Sequence, residues 1–323
     1  MRGACLAANN RPPANSFTRV RSMRLLVTGA SGFVGWNAVR HFAGRGHDVA
    51  AAYFSFSHYL HRVAGCLPVQ MDLTDGLATR RVVARFQPDI VVHAAALARP
   101  QESDDADRLH RVNVDATASL AQAAADAGAR MLYLSTDLVY DSDAGLCNEE
   151  TPTSPSGAGE YSRSKLMGEE ALRASDAEWI IVRCALMYGD GTPRSRSFTQ
   201  FMDRSWAAGE AAPLFNDQYR SVLYVGDLVS AIDLLAIGAP QSRRLFVCGG
   251  GERLSRSGFG LRYADACGVD RAMCRVMRST ELPGYTGGAS DITLDCGRLL
   301  ALGWRPRTLG ECFAEMVAAR ALE

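Results

Sequence analysis

The chain has 323 residues, 47% of them hydrophobic, with Lys+Arg and Asp+Glu balanced at 35 each. That is enough for one large α/β domain carrying a smaller lobe, and a neutral chain without basic clusters argues against nucleic acid or an anionic membrane surface as a partner. No apolar run approaches the ~18 residues of a membrane span. Nine scattered cysteines, with no Cys-x-x-Cys pair, argue against a disulfide framework or a metal site and suit a reducing cytoplasm.

Residues 1–22 stand apart. They hold Arg2, Arg11, Arg19 and Arg21, no acid, and Pro12-Pro13. They read as a leader outside the fold, either a disordered extension before Met23 or an Arg-rich, acid-poor transit peptide. From there strand and helix patterns alternate. Residues 24–28 read as a strand, followed by a glycine turn and a helix to about Arg45. Strands follow at 49–53, 67–71 and 89–93. An Ala-rich helix over roughly 105–127 stops at Gly128. A strand at 131–135, a helix from Tyr161 to about Ala174 and a strand at 179–183 complete the series. Continuous apolar strands separated by helices predict an α/β, doubly wound parallel sheet of the Rossmann type. This dinucleotide-binding domain is expected over 23–185. Turn-rich residues 186–323 are expected to form mainly a smaller C-terminal substrate-binding lobe, with some segments returning to the Rossmann core.

Ligands bind such sheets at the carboxyl ends of the strands. After the first strand comes Gly29-Ala30-Ser31-Gly32-Phe33-Val34-Gly35. Gly29 permits a tight turn, Gly32 lets a pyrophosphate approach the backbone, and Gly35 lets the helix pack closely. The helix amino end then offers free N–H groups to phosphates, and this makes a dinucleotide site of the segment that carries Ser31, Phe33 and Val34. The next strand ends contribute Tyr53 and Ser55, then Asp72 and Leu73, then His93. Asp72 either accepts from an adenine amino group or caps a helix. No carboxylate follows the second strand to hold a ribose 2′-OH. Ser55, Ser57, His58 and Arg62 could instead hold a 2′-phosphate. NADP is therefore the preferred cofactor, with NAD the alternative.

Tyr161 and Lys165 lie one helical turn apart, after a strand ending in Ser135-Thr136. A free tyrosine, with a pKa of about 10, is a sluggish acid–base group at neutral pH. A lysine ammonium one turn away should lower that pKa. Thr136 can hydrogen-bond a substrate oxygen, so the set fits proton transfer coupled to hydride transfer. Asn113 interrupts the Ala-rich helix, where it either kinks the helix and holds a water beside the lysine or sits solvated on an outer face.

These residues resemble the extended short-chain dehydrogenase/reductases acting on nucleotide sugars, and within them the dTDP-4-dehydrorhamnose reductases and their relatives. The resemblance runs from about Met23 to the C-terminus. Its carriers are residues 25–35, residues 87–96, Ser135-Thr136-Asp137-Leu138-Val139-Tyr140, residues 161–169 and Val182-Arg183. It implies Thr136, Tyr161 and Lys165 as a catalytic triad with Asn113 as fourth member. Ala94, Ala95 and Ala96 would line the cofactor, along with Tyr161 and Lys165, and Asp137 and Leu138 would stand beside the sugar. The implied reaction is NAD(P)H-dependent reduction of a 4-keto group on a nucleotide-linked deoxysugar. The same fold also serves epimerases, dehydratases and a cofactor-binding regulatory subunit, and a homodimer is common in the wider family. Three features depart from the family pattern: Ser162 after the tyrosine, a longer loop before it, and aliphatic Cys184-Ala185-Leu186-Met187. Arg220 is typical of epimerase-like relatives, where it can meet a diphosphate.

Overall fold

The computed structural model describes residues 22–56, 58–98, 106–154, 159–192, 197–238, 241–285 and 288–321. All but the last residue of the expected leader, together with Ser57, therefore lies outside the described residues. Strands β1 (Arg24–Thr28), β2 (Asp48–Tyr53), β3 (Cys66–Gln70), β4 (Ile90–His93), β5 (Arg130–Thr136) and β6 (Glu178–Cys184) alternate with helices. These are α1 (Phe33–Gly44), α2 (Gly76–Phe86), α3 (Ala106–His110) with α4 (Ala116–Asp126), and α5 (Gly159–Arg173). Beyond them come β7 (Met187–Tyr188), α6 (Phe198–Ala207), β8 (Ala212–Phe215), β9 (Tyr219–Arg220), β10 (Leu223–Tyr224), α7 (Val225–Asp233) and β11 (Arg244–Cys248). The chain closes with β12 (Leu254–Ser255), α8 (Arg256–Cys267), β13 (Cys274–Met277), α9 (Gly297–Ala301) and α10 (Leu309–Arg320).

Seven strands form one sheet in the order β3-β2-β1-β4-β5-β6-β11, and every neighbouring pair is parallel. Successive side chains point to opposite faces, so the continuous apolar strands bury both faces of the sheet. Leu25, Val27, Ile90 and Val92 enter one core, with α7 and α9 residues such as Leu228 and Leu299. Leu26, Val91, Ala50 and Met131 enter the other, against Ala121, Ala124 and Val83. A third cluster, including Tyr188, Phe259 and Phe313, forms the lobe's own core. The short pairs β7–β10, β9–β12 and β8–β13 frame that lobe. Among the described residues no helix is long and apolar enough to cross a membrane.

The strand order reverses beside β1, where β2 leaves on one side and β4 on the other. This switch point opens a crevice at the carboxyl ends of the two strands. At the rim, Asp75 caps α2 through Oδ1, which accepts from the backbone N–H groups of Leu77 and Ala78, both at 3.0 Å. Asp75→Ala is expected to cost about 1 kcal/mol of stability, read as a lower urea midpoint with an unchanged slope.

The Ala-rich helix expected over roughly 105–127 is divided at Asn113, the residue expected either to kink it or to lie solvated on an outer face. Between α3 and α4 the backbone takes a π-turn, Arg111–Asp115, centred on Asn113. From this turn the Asn113 side chain reaches the backbone of Leu97. Asn113 Oδ1 accepts from the Leu97 N–H at 2.8 Å and Nδ2 donates to the Leu97 carbonyl at 3.1 Å.

Candidate active site

The glycine turn closes as its spacing predicts. Gly29 has φ +65°, and a Cβ there would stand 2.7 Å from the Ala95 backbone N and Cα. A Cβ on Gly35 would overlap the Gly29 carbonyl, and one on Gly32 would lie 3.2 Å from that oxygen. Helix α1 begins at Gly32 with no side-chain cap and no acid in its first turn, so its leading N–H groups remain available to an anion. Tyr59 donates to the Ser31 carbonyl at 2.6 Å and packs edge-on against Trp36 at 5.1 Å. This brace for the turn has no local sequence signal.

Around this cradle, Phe33 and Tyr53 are half-buried, Val34 is buried, and Ser55, His58 and Arg62 are exposed. Asp72 is exposed, and its Oδ1 accepts from the Thr74 N–H and hydroxyl at 2.9 and 2.7 Å, while Asp75, not Asp72, caps α2. Leu73, Ala94 and Ala95 are half-buried and Ala96 is exposed. His93 is fully engaged below them: Nδ1 meets the Thr28 hydroxyl at 2.7 Å and Nε2 the Thr117 hydroxyl at 3.1 Å. Burial, and then the Lys165 charge, push its pKa down to about 3, so the ring is neutral. No ring nitrogen remains for a cofactor.

Thr136 ends β5, and Tyr161 and Lys165 project from the first half of α5. Three contacts fix these elements relative to each other. Ser164 Oγ donates to the Tyr161 carbonyl at 2.7 Å and accepts from Asn113 Nδ2 at 2.8 Å. Tyr133 on β5 donates to the Lys165 carbonyl at 3.3 Å. Glu169 on α5 accepts from Ser135 on β5 at 2.6 Å and from Arg183 on β6 at 2.9 and 2.8 Å. Asn113, 1% exposed, thus ties the π-turn to α5 and is not a solvated surface residue. Ser164, Glu169 and Arg183 are the supports a reading by motif alone leaves without a role.

The expected influence of Lys165 on Tyr161 is not what this state displays. Lys165 is 2% exposed and rests its ammonium 3.9 Å above the Tyr133 ring. Burial lowers its pKa to about 7, against the pull of Glu169 and Cys184. Tyr161 moves upward, first through burial and then through Asp137 and Cys184 beside it. The tyrosine is therefore a protonated acid at neutral pH. Desolvation dominates the shift, and Lys165 is not among the groups that act on it.

At the end of β5, Thr136 Oγ1 accepts from the Leu138 N–H and lies 3.2 Å from Asp137 Oδ1. Leu138 is half-buried. Arg220, 5% exposed, donates to the Tyr219 carbonyl at 2.6 Å and is the main positive influence on Asp137. The lobe thus reaches the carboxyl edge of β5 through β9. Together these groups can cradle a dinucleotide, protonate an oxygen and face an anionic or polar substrate.

A model of the RmlD substrate binding domain matches residues 23–321. The dTDP-4-dehydrorhamnose reductase of Mycobacterium tuberculosis is 32% identical over 81% of this chain and 82% of its own length. The methionine adenosyltransferase 2 subunit beta of Bos taurus is 27% identical over 90% of this chain and 85% of its own. Among solved structures, the Bordetella bronchiseptica enzyme WbmG in complex with NAD superposes with a TM-score of 0.78 at 25% identity, over 94% of this chain and 95% of that one.

Proposed function

We propose, from the premise that this chain belongs to the family of the RmlD substrate binding domain, homologous to dTDP-4-dehydrorhamnose reductases among the extended short-chain dehydrogenase/reductases, that it is an NAD(P)-dependent reductase of a 4-keto group on a nucleotide-linked deoxysugar. What supports this reading is that Asp137, next to Thr136 at the end of β5, acts on Tyr161 of α5, where Lys165 follows one turn on, in the sheet that also holds the glycine cradle, with Tyr161 kept protonated. A ketone reduction needs an acid at the oxygen, and a protonated tyrosine supplies one.

The cradle fits a dinucleotide because a side chain on Gly29 or Gly35 would fill it. Gly29, Ser31, Gly32, Phe33, Val34 and Gly35 would hold the pyrophosphate, Asp72 and Leu73 the adenine, and Ala94, Ala95 and Ala96 the middle of the cofactor. His93 would contribute through its backbone. A bound reduced nicotinamide supplies the hydride. Tyr161 donates its proton to the substrate oxygen, Thr136 hydrogen-bonds that oxygen, and Lys165 with Asn113 keeps α5 and the proton path in register. Asp137, Leu138 and Arg220 would face the sugar nucleotide. No acid stands between Phe54 and Arg62, which favours NADP and leaves Ser55, beside Tyr53, to meet a 2′-phosphate. Scattered thiols suit a reducing cytoplasm, and a homodimer fits the family resemblance.

With nucleotide 4-keto-6-deoxyhexoses as substrates, the protein is expected to oxidise NADPH stoichiometrically. NADPH should be preferred over NADH by about tenfold or more in kcat/KM, the worth of one charge-assisted hydrogen bond. Equal use of both cofactors would remove the NADP assignment. An epimerase or dehydratase would consume no net NADPH. The likeness to a methionine adenosyltransferase subunit favours one second reading, a regulatory subunit. Tight NADPH binding without turnover, beside a co-purifying enzyme, would establish it.

A further inference from the structure

A hydroxyl has one proton to give and two lone pairs to accept with. Thr136 Oγ1 already accepts from the Leu138 N–H and lies 3.2 Å from Asp137 Oδ1. If Asp137 is ionised, that contact takes the only proton of Thr136, because a carboxylate can only accept. No proton is then left for a substrate oxygen. If Asp137 is the neutral acid, its own O–H points to Thr136 Oγ1, and the threonine proton is released. The separation is the same for either donor.

Three features of the surroundings favour the neutral acid. Asp137 is 4% exposed. Its Oδ2 is closed off from solvent and has no hydrogen-bond partner among the described residues, a costly place for half of a carboxylate. The charged and titratable groups that face it are Arg220 from β9, Tyr161 from α5, Cys184 from β6 and Cys147 from the loop after β5. Only Arg220 is cationic, and among the described residues it makes no hydrogen bond to Asp137, donating instead to the Tyr219 carbonyl. Burial accordingly carries the Asp137 pKa up to about 6 against the pull of Arg220.

We infer that Asp137 is a positioning residue which, as the neutral acid, donates from Oδ1 to Thr136 and so turns the single Thr136 proton towards the substrate oxygen. This rests on the reductase reading for its catalytic consequence, not for the state of the carboxyl. The protonated form is the active one, so the contribution is complete below the Asp137 pKa and is lost as pH rises through about 6. One oxygen donor is worth about 10²-fold in rate, and kcat/KM reports the free enzyme. In the reducing direction, kcat/KM of the wild type should fall by about 10²-fold through that pH to a lower plateau.

The test has two arms. In the first, infrared titration of the full chain without substrate follows the carbonyl band of protonated carboxyl groups. A band that fades through about pH 6 and is missing from Asp137→Asn is expected. If no such Asp137-dependent band exists, the inference falls whatever the enzyme reduces. In the second arm, Asp137→Asn should give a profile without this step. Thr136→Val should lie on the low plateau with no step, and it keeps the test open if Asp137→Asn does not fold. A wild-type step that persists in either variant overturns the inference. If no nucleotide 4-keto sugar is turned over, the reductase reading fails on its own and the infrared arm still decides the state of Asp137.

Discussion

Tyr161→Phe is expected to slow turnover by about 10²–10⁴-fold while leaving NADPH binding intact. The substitution removes one hydroxyl and keeps the ring, so the packing of α5 is preserved. Tyr161 makes no side-chain hydrogen bond among the described residues, and its carbonyl remains bonded to Ser164 at 2.7 Å. Nothing structural is therefore lost with the oxygen. What is lost is the acid. Burial first, then Asp137 and Cys184, hold the phenol protonated through neutral pH. Nucleotide affinity by fluorescence quenching and single-turnover rates would separate the two effects. A variant that binds NADPH normally and retains more than about a tenth of the rate would remove Tyr161 from the chemistry.

The direction of the Tyr161 shift also bears on which half of the reaction the free enzyme is prepared for. An alcohol oxidase needs a base, and a raised phenol pKa is a poor one at neutral pH. A ketone reductase needs an acid, and the same shift favours it. Lys165, brought to about 7 by burial, is charged below that pH and neutral above it. Its positive charge would most assist the phenolate left after proton transfer. Both groups thus favour reduction on the acid side of neutrality, as does the neutral form of Asp137.

The parts of the site that could be read from the chain are those with local causes. Gly29, Gly32 and Gly35 follow an apolar strand and precede a helix, and the close contacts that each glycine permits lie within seven residues of sequence or one strand away. The four-residue spacing of Tyr161 and Lys165 puts both on α5 by helix geometry alone. What could not be read depends on groups far apart in the chain. The Lys165 ammonium sits on Tyr133, 32 residues earlier, and the sign of the Tyr161 shift follows from desolvation that no spacing encodes. Asn113 is visible as an odd helix residue, but its partner, the backbone of Leu97 on a loop, is not. Strand β11 is a short apolar run after an irregular stretch, and only its pairing with β6, from Arg244↔Ile180 to Cys248↔Cys184, makes it part of the main sheet.

Glu169→Ala is expected to be the most damaging single change to stability, at about 3–5 kcal/mol. Glu169 is fully buried, and its carboxylate joins three elements: Ser135 on β5, Arg183 on β6 and Arg173 on α5 itself. Burial alone would raise its pKa, but the hydrogen bonds and charge of Arg183, with Ser135 and Arg173, outweigh burial and hold the carboxyl below its usual range. Removing it leaves the Arg183 guanidinium, 5% exposed, with the Tyr140 hydroxyl at 3.1 Å as its remaining hydrogen-bond partner among the described residues. An uncompensated buried charge of this kind is what makes one-sided removal so costly. The depressed pKa fixes the sign of the pH dependence. The contribution is complete above the unfolded-state value of about 4.3 and is lost as pH falls through the folded-state value. Glu169→Ala should therefore unfold at markedly lower urea than the wild type at neutral pH, with the gap narrowing in acid. Replacing both partners, as Glu169→Leu with Arg183→Met, should recover most of the loss, because a buried pair exchanged for apolar groups of similar volume is often neutral. Since Ser135 precedes Thr136 and α5 carries Tyr161, the restored fold should still turn over more slowly than the wild type. A Glu169→Ala loss below about 1 kcal/mol would mean that Arg183 finds water, and that the clamp is not what holds α5 against the sheet.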